Sequence, residues 1–437
     1  MRLGRSVAAV AAGVLLVGVS LSRAEISSDR PAAIVTFPKL IVDLNRGIDT
    51  MVRLSNTSQS PLRLHCFWVD ATPRCDNGPG SCISGIGIAP TCAGTCVDNW
   101  TETDFRLTLT GNQPIGWRIS QGMRDCLSTS QTDPSQPCFP LDGVTRIGPG
   151  GQSNAVSRIP PVPHDEFVGY LQCIAIDDNG APVERNDLQG EALITRTDTP
   201  LPLPPAAIDV DSYNGVGLSA IPGTNDFDGN LCLGGCSPGK CSVTKSQSCF
   251  SDGDCPAGER CSVQCQSNPS CPRGPEYDGC PNILVLDHFF DGGVDPVSDL
   301  PVVTDLTLVP CTQDYLRQNP EKVTVQFLVF NEFEQRFSTS RPVTCFKEFQ
   351  LSNIDTSFNE NSIFSAAVNG TLTGQTRIRG VADDKSTHGQ ALMGVAQEYR
   401  CAPTSTLDNC GIVSTAAFNL HSQGRRPQAD LLLLAPE

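Results

Sequence analysis

Leu62-Arg63-Leu64-His65-Cys66-Phe67-Trp68-Val69 alternates apolar and polar residues over its first half, then turns apolar on both faces. Period-two alternation marks a strand with one wet face, and its loss marks a strand covered on both sides. The turn cluster Asn56-Thr57-Ser58-Gln59-Ser60-Pro61 precedes it. Working outward, Ile34–Phe37, Leu40–Leu44 and Thr50–Leu54 are short β-rich runs. Phe105–Thr110 alternates, and Gly111-Asn112-Gln113-Pro114 turns the chain into Ile115–Ser120. Gly169–Ile176 is a further strand, closed by Asp177-Asp178-Asn179-Gly180, and Ala192–Thr195 is the last. Roughly seven short strands divided by turns predict an antiparallel β-sandwich over 25–196.

Two long loops interrupt that pattern: 71–104 with Cys75, Cys82, Cys92 and Cys96, and 122–165 with Cys126 and Cys138. Loops of this length in a compact domain need staples or a function. Local bridges such as Cys126–Cys138 are therefore expected. Cys66 and Cys173 lie inside two strands and are expected to bridge the two sheets.

Thr197 to Pro205 holds four prolines in nine residues and reads as a stiff linker, continued to 231 by a Gly-, Asn- and Asp-rich stretch with room for one or two short strands. Strand patterns return over 282–437. Val323-Thr324-Val325-Gln326-Phe327-Leu328-Val329-Phe330 is the clearest, with Ile283–Leu286, Val302–Val309, Arg341–Phe346, Gln375–Val381, Ala391–Gln397 and Val413–Leu420 around it. They predict a second sandwich, in which Cys401–Cys410 closes a local loop. The fold class is thus mostly β, two antiparallel sandwiches flanking a small disulfide-rich insertion.

That insertion, 232–281, carries nine cysteines between Cys232 and Cys280 and few aliphatic residues. It cannot bury a core of its own, so cross-links must hold it. Its centre runs Cys241-Ser-Val-Thr-Lys-Ser-Gln-Ser-Cys249-Phe-Ser-Asp-Gly-Asp-Cys255-Pro-Ala-Gly-Glu-Arg-Cys261. This resembles small extracellular cysteine-rich repeats of the C…C-x-x-D-x-D-C-P-x-G-x-x-C kind. The resemblance implies a disulfide module involving Cys241, Cys249, Cys255 and Cys261, and no activity.

The N-terminus reads as a secretory signal peptide over 1–24: Arg2 and Arg5, an uncharged run from Val7 to Leu21, then Ser22-Arg23-Ala24 at a cleavage site. The run is shorter than the roughly 20 residues that cross a bilayer. No further long apolar run follows, so no transmembrane segment is expected after cleavage. Removing Arg2, Arg5 and Arg23 shifts the formal charge from −16 to −19. An acidic chain is ill suited to nucleic acid, whose affinity comes from cations neutralising phosphates. The expected location is extracellular or the cell surface, with the periplasm as a variant, and in that setting 21 cysteines read as disulfides. The total is odd. If the eight cysteines of the first β region and the four of the second pair among themselves, the unpaired thiol falls within the nine of the insertion.

Motifs that carry chemistry are thin. Gly235-Cys236-Ser237-Pro238-Gly239 matches a nucleophile elbow literally, but Pro238 discourages the helix that motif needs. Cys232, Cys236 and Cys241 have weak zinc spacing and read better as bridges. His65 adjoins Cys66, yet neighbours on a strand point to opposite faces, which argues against a dyad. His288, in Asp287-His288-Phe289-Phe290-Asp291, reads as a buried structural histidine. Asp226-Phe-Asp228-Gly-Asn230 opens like a calcium loop but lacks the distant Glu of an EF-hand, so calcium is a weak candidate and no other cofactor is expected. Sequons occur at Asn56, Asn99 and Asn369. The expectation is an exported non-enzymatic structural, adhesive or ligand-binding protein with a protein or glycan ligand. The alternatives are a secreted hydrolase using sequence-distant Asp and Glu, and a self-associating subunit tethered through the odd cysteine.

Overall fold

The computed structural model describes residues 30–83, 90–125, 138–139, 159–180, 182–197, 209–221, 231–234, 283–315, 318, 320–381, 390–423 and 431–434, with short stretches of 239–281. The chain is mostly β, with several antiparallel sheets. The first sandwich comprises β1 (Ile34–Val42), β2 (Ile48–Asn56), β3 (Leu62–Asp70), β4 (Thr101–Leu109), β5 (Pro114–Arg118), β6 (Phe167–Ile176), β7 (Leu188–Arg196), β8 (Asp209–Asn214) and β9 (Val216–Leu218). One sheet runs β9-β1-β6-β3-β4 and the other β8-β7-β2-β5. Trp68 from β3 meets Trp117 from β5 edge-on between them, with ring centroids 6.5 Å apart.

Strands β8 and β9 lie in the stretch whose composition reads as linker, so this sandwich continues to Leu218. Little in Asp209-Val-Asp-Ser-Tyr-Asn advertises a strand, because the residues it buries, Asp211 and Tyr213, are polar.

Cys66 and Cys173 are bonded, but within one sheet rather than between two. They face each other across the β3–β6 pair, Cα atoms 4.0 Å apart. Directly opposed residues of an antiparallel pair share a face. Cys75–Cys92 and Cys82–Cys96 interlace in the 71–104 loop, Cys241 bonds Cys255, and Cys401 bonds Cys410. Cys280 bonds Cys311 of the second sandwich, and the free cysteine among the described residues is Cys345. This corrects the expected place of the odd thiol. The flanking set of four does not pair within itself, because Cys311 is taken by the insertion and Cys345 is left behind.

The second sandwich comprises β10 (Ile283–Phe289), β11 (Leu300–Pro310), β12 (Lys322–Asn331), β13 (Arg336–Thr344), β14 (Lys347–Gln350), β15 (Thr373–Val381), β16 (Leu392–Cys401), β17 (Ile412–Asn419) and β18 (His421–Gln423). Its outer sheet runs β13-β12-β15-β10-β18; its inner sheet joins β11, β16 and β17, with β14 also paired to β11. Strand β12 alternates between buried and more accessible positions along its whole length. Strands β1 and β6 are buried at every position. Their second face is covered by the other sandwich: Tyr315 stacks on Phe67 of β3 and donates to Gln172 of β6, and Val309, Met393 and Val395 belong to the same buried cluster. Leu306, Leu308, Leu392 and Ala396 pack instead with Phe327 and Ile378. Strands β11 and β16 thus give alternate residues to two cores, and the sandwiches are fused. A short sheet ties in further pieces, with Leu431–Leu433 running parallel between Leu231–Gly234 and Gln313–Asp314.

Candidate functional site

A cavity of about 510 Å³ opens at one end of the second sandwich. Register builds it. Asp287 of β10 pairs with Gln375 of β15, which pairs with Phe330 of β12, forming one cross-strand row. Leu286, His288, Thr376, Ile378, Val329 and Asn331 are buried, so this row stands on the opposite, solvent-facing side of the sheet. Glu332 and Thr373 close the end of the row, and Glu398 enters from β16. The cavity is lined by three carboxylates, two phenylalanine rings (Phe289 and Phe330), amides and a hydroxyl, with no lysine or arginine.

The carboxylates differ in setting. Burial holds Glu398 above the ordinary carboxylate range, against the pull of Arg400 and of the Phe289 N–H. Glu332 is held low because its Oε1 accepts both the Thr373 N–H and hydroxyl at 2.8 Å. Asp287 Oδ1 accepts from Gln375 Nε2 at 2.9 Å. His288 is buried, and burial pushes it down to about 4. The Phe289 carbonyl can only accept, so Nδ1 carries the hydrogen, and Nε2 accepts from the Thr376 hydroxyl, each contact 2.8 Å. His288 is therefore a neutral, fully engaged wall residue. Beyond the rim, Phe333 at the β12–β13 turn is 69% exposed.

Of these residues, only Asp287 and His288 stood out in the sequence. Glu332 and Glu398 come from a turn and from a strand of the other sheet, and no spacing announces them. Of the other histidines, His65 and His164 are engaged elsewhere, His421 is exposed, and His388 lies outside the described residues. His65 Nε2 lies 2.8 Å from Asp104, while its neighbour Cys66 is locked in a disulfide. His164 faces two acceptors, Asp70 Oδ2 at 2.8 Å and the Asp165 carbonyl at 3.0 Å. The sulfurs of Cys75, Cys82 and Cys92 cluster, but all three are in disulfides and offer no thiolate to a metal. Asn56 and Asn369 are buried and donate their amides to backbone carbonyls, so neither sequon is open in the folded chain. Asn99 is half-buried. Asp226, Asp228, Asn230, Ser237 and Cys126 lie outside the described residues, as do the side chains of Cys138, Cys249 and Cys261.

The chain matches no family model and no curated protein.

Proposed function

We propose that this is an exported, non-enzymatic binding protein whose fused sandwiches form a rigid support for the cavity at the end of β10, β12 and β15. The observation that carries the reading is the lining. Asp287, Glu332 and Glu398 and the Phe289 and Phe330 rings converge on one concavity whose lining holds no lysine or arginine, although Arg400 acts on Glu398 and Arg377 lies over the Phe330 ring from outside that lining. Such a surface suits a ligand that offers hydrogen-bond donors or positive charge beside a flat apolar face, as sugars and basic protein side chains do. Disulfides on both sandwiches support an oxidising destination, and among the described residues no helix is long and apolar enough to cross a membrane. Tethering through the free cysteine loses support, because Cys345 is only 1% exposed. The test is to screen the folded protein against immobilised glycans and basic peptides, alongside Asp287→Ala and Phe330→Ala. Binding should appear in one class and fall in both variants. Binding that neither variant weakens would place the site elsewhere.

One observation favours a second reading, a hydrolase. Glu398 is shifted up and Glu332 down within one cavity, the separation that acid–base pairs exploit. Turnover of glycosides abolished by both Glu398→Gln and Glu332→Gln would establish it.

A further inference from the structure

Lys39 sits where the register of β1 shifts between Phe37 and Leu40, and it is 1% exposed. Tyr213 of β8 fixes the bulge: its hydroxyl accepts from the Lys39 N–H at 3.1 Å and donates to the Lys39 carbonyl. So held, the side chain crosses to the other sandwich, where Nζ lies 2.5 Å from Glu348 Oε1 on β14. That carboxylate is itself 14% exposed. Glu348 is directly opposite Thr307 of β11 and shares its face, and Asp305, two residues back along β11, faces the same way. Asp305 is 1% exposed; its carboxyl lies near enough to Glu348 to be raised by it, yet neither oxygen makes a hydrogen bond of ordinary length. A buried amine, an acid in contact with it and a second acid with free valences thus converge between two domains.

We propose that Lys39 and Glu348 condense to an amide that joins the two sandwiches covalently, with Asp305 shuttling the protons. The step balances without oxidant or co-reactant. The Lys39 ammonium gives one proton to the Glu348 carboxylate along their hydrogen bond. The amine lone pair attacks Glu348 Cδ, and the Cδ–OH bond breaks as Asp305 donates its proton to the departing hydroxyl. Asp305 regains a proton from the nitrogen, and one water leaves. Charge is zero before and after. Asp305 enters as the acid because burial, and then the Glu348 charge, hold it well above the ordinary carboxylate range. Positioning makes the attack effectively unimolecular, and exclusion of water disfavours hydrolysis of the product.

The test is peptide mapping of the folded, exported protein after reduction and trypsin digestion. The expected result is a branched peptide joining Lys39 to Glu348, lighter than its two parts by one water, with no cleavage after Lys39. Asp305→Asn, close to isosteric, should leave Lys39 cleavable. Wild-type protein cleaved after Lys39, with an unmodified Glu348 peptide, overturns the proposal, and that readout needs no variant to fold. A full cross-link in folded Asp305→Asn overturns the shuttle. The outcome is independent of whether the cavity binds a ligand.

Discussion

Strand β16 separates two polar clusters that could hardly differ more. On one face Tyr399 donates to Gln397 at 2.7 Å and accepts from Arg196 of the first sandwich at 3.1 Å. Gln397 donates in turn to Asp211 of β8, which also accepts from Thr415. On the other face Glu398 turns into the open cavity. The first cluster is dry. An unpaired charge there costs several kcal/mol, so groups come in partnered sets. The second opens to solvent, and its carboxylates, each holding a protein donor, keep further acceptor positions that a ligand can take. The same residue types thus serve cohesion or recognition according to whether water reaches them.

The largest effect that would sharpen this contrast is Lys39→Met, which removes the amine, and with it any cross-link, and leaves the Glu348 and Asp305 carboxyls in the seam without a partner. Chemical denaturation should show a loss of about 3–5 kcal/mol. Glu332→Gln in the cavity should stay within about 0.5 kcal/mol of wild type in the same experiment. Equal losses from the two would erase the distinction between dry seam and wet cavity.

Asp291 offers the next test, within the core of the second sandwich. It accepts the Thr304 and Ser352 N–H groups, yet burial pushes it up to about 7. The folded protein then holds this proton more tightly than the unfolded chain, so stability falls as pH rises from about 4 towards 7. Unfolding free energies measured across that range should fall by a few kcal/mol, and Asp291→Asn should flatten the profile. An unchanged slope in Asp291→Asn would assign the pH dependence to other groups.

His164 should contribute least. Burial works against its charge, but the Asp70 carboxylate and the Asp165 carbonyl raise it above its ordinary 6.5. Its stabilisation is present below that value and is lost as pH rises through the raised one. The ring is 42% exposed, so His164→Gln should shift thermal midpoints only slightly, and only on the acidic side. A loss that persists unchanged at alkaline pH would mean packing rather than charge holds that loop.

Sequence reading reached the strands with the strongest periodicity. The alternation over 323–330 appears as the buried and accessible faces of β12, and the doubly apolar Cys66–Val69 lies in β3 at the heart of a sheet. It gave β8 only room for a short strand within a linker-like stretch, because the buried positions there are an aspartate and a tyrosine, and polar residues are buried only when distant partners satisfy them. The cavity was legible only at Asp287-His288. Its other walls belong to strands that neighbour β10 in space but lie some 40 to 110 residues away in sequence.

The mostly-β class follows from local patterning along the chain, because period two and turn residues are local physics. So does the need of the cysteine-rich segment for cross-links, because a chain so poor in aliphatic residues has no core to bury. That Cys66–Cys173 lies within a sheet, that Cys280 reaches Cys311 and leaves Cys345 unpaired, and that the sandwiches share a core emerges only when the strands pack. Those outcomes depend on which strands become neighbours. That is set by the packing of whole faces against one another, and no single stretch of sequence carries it.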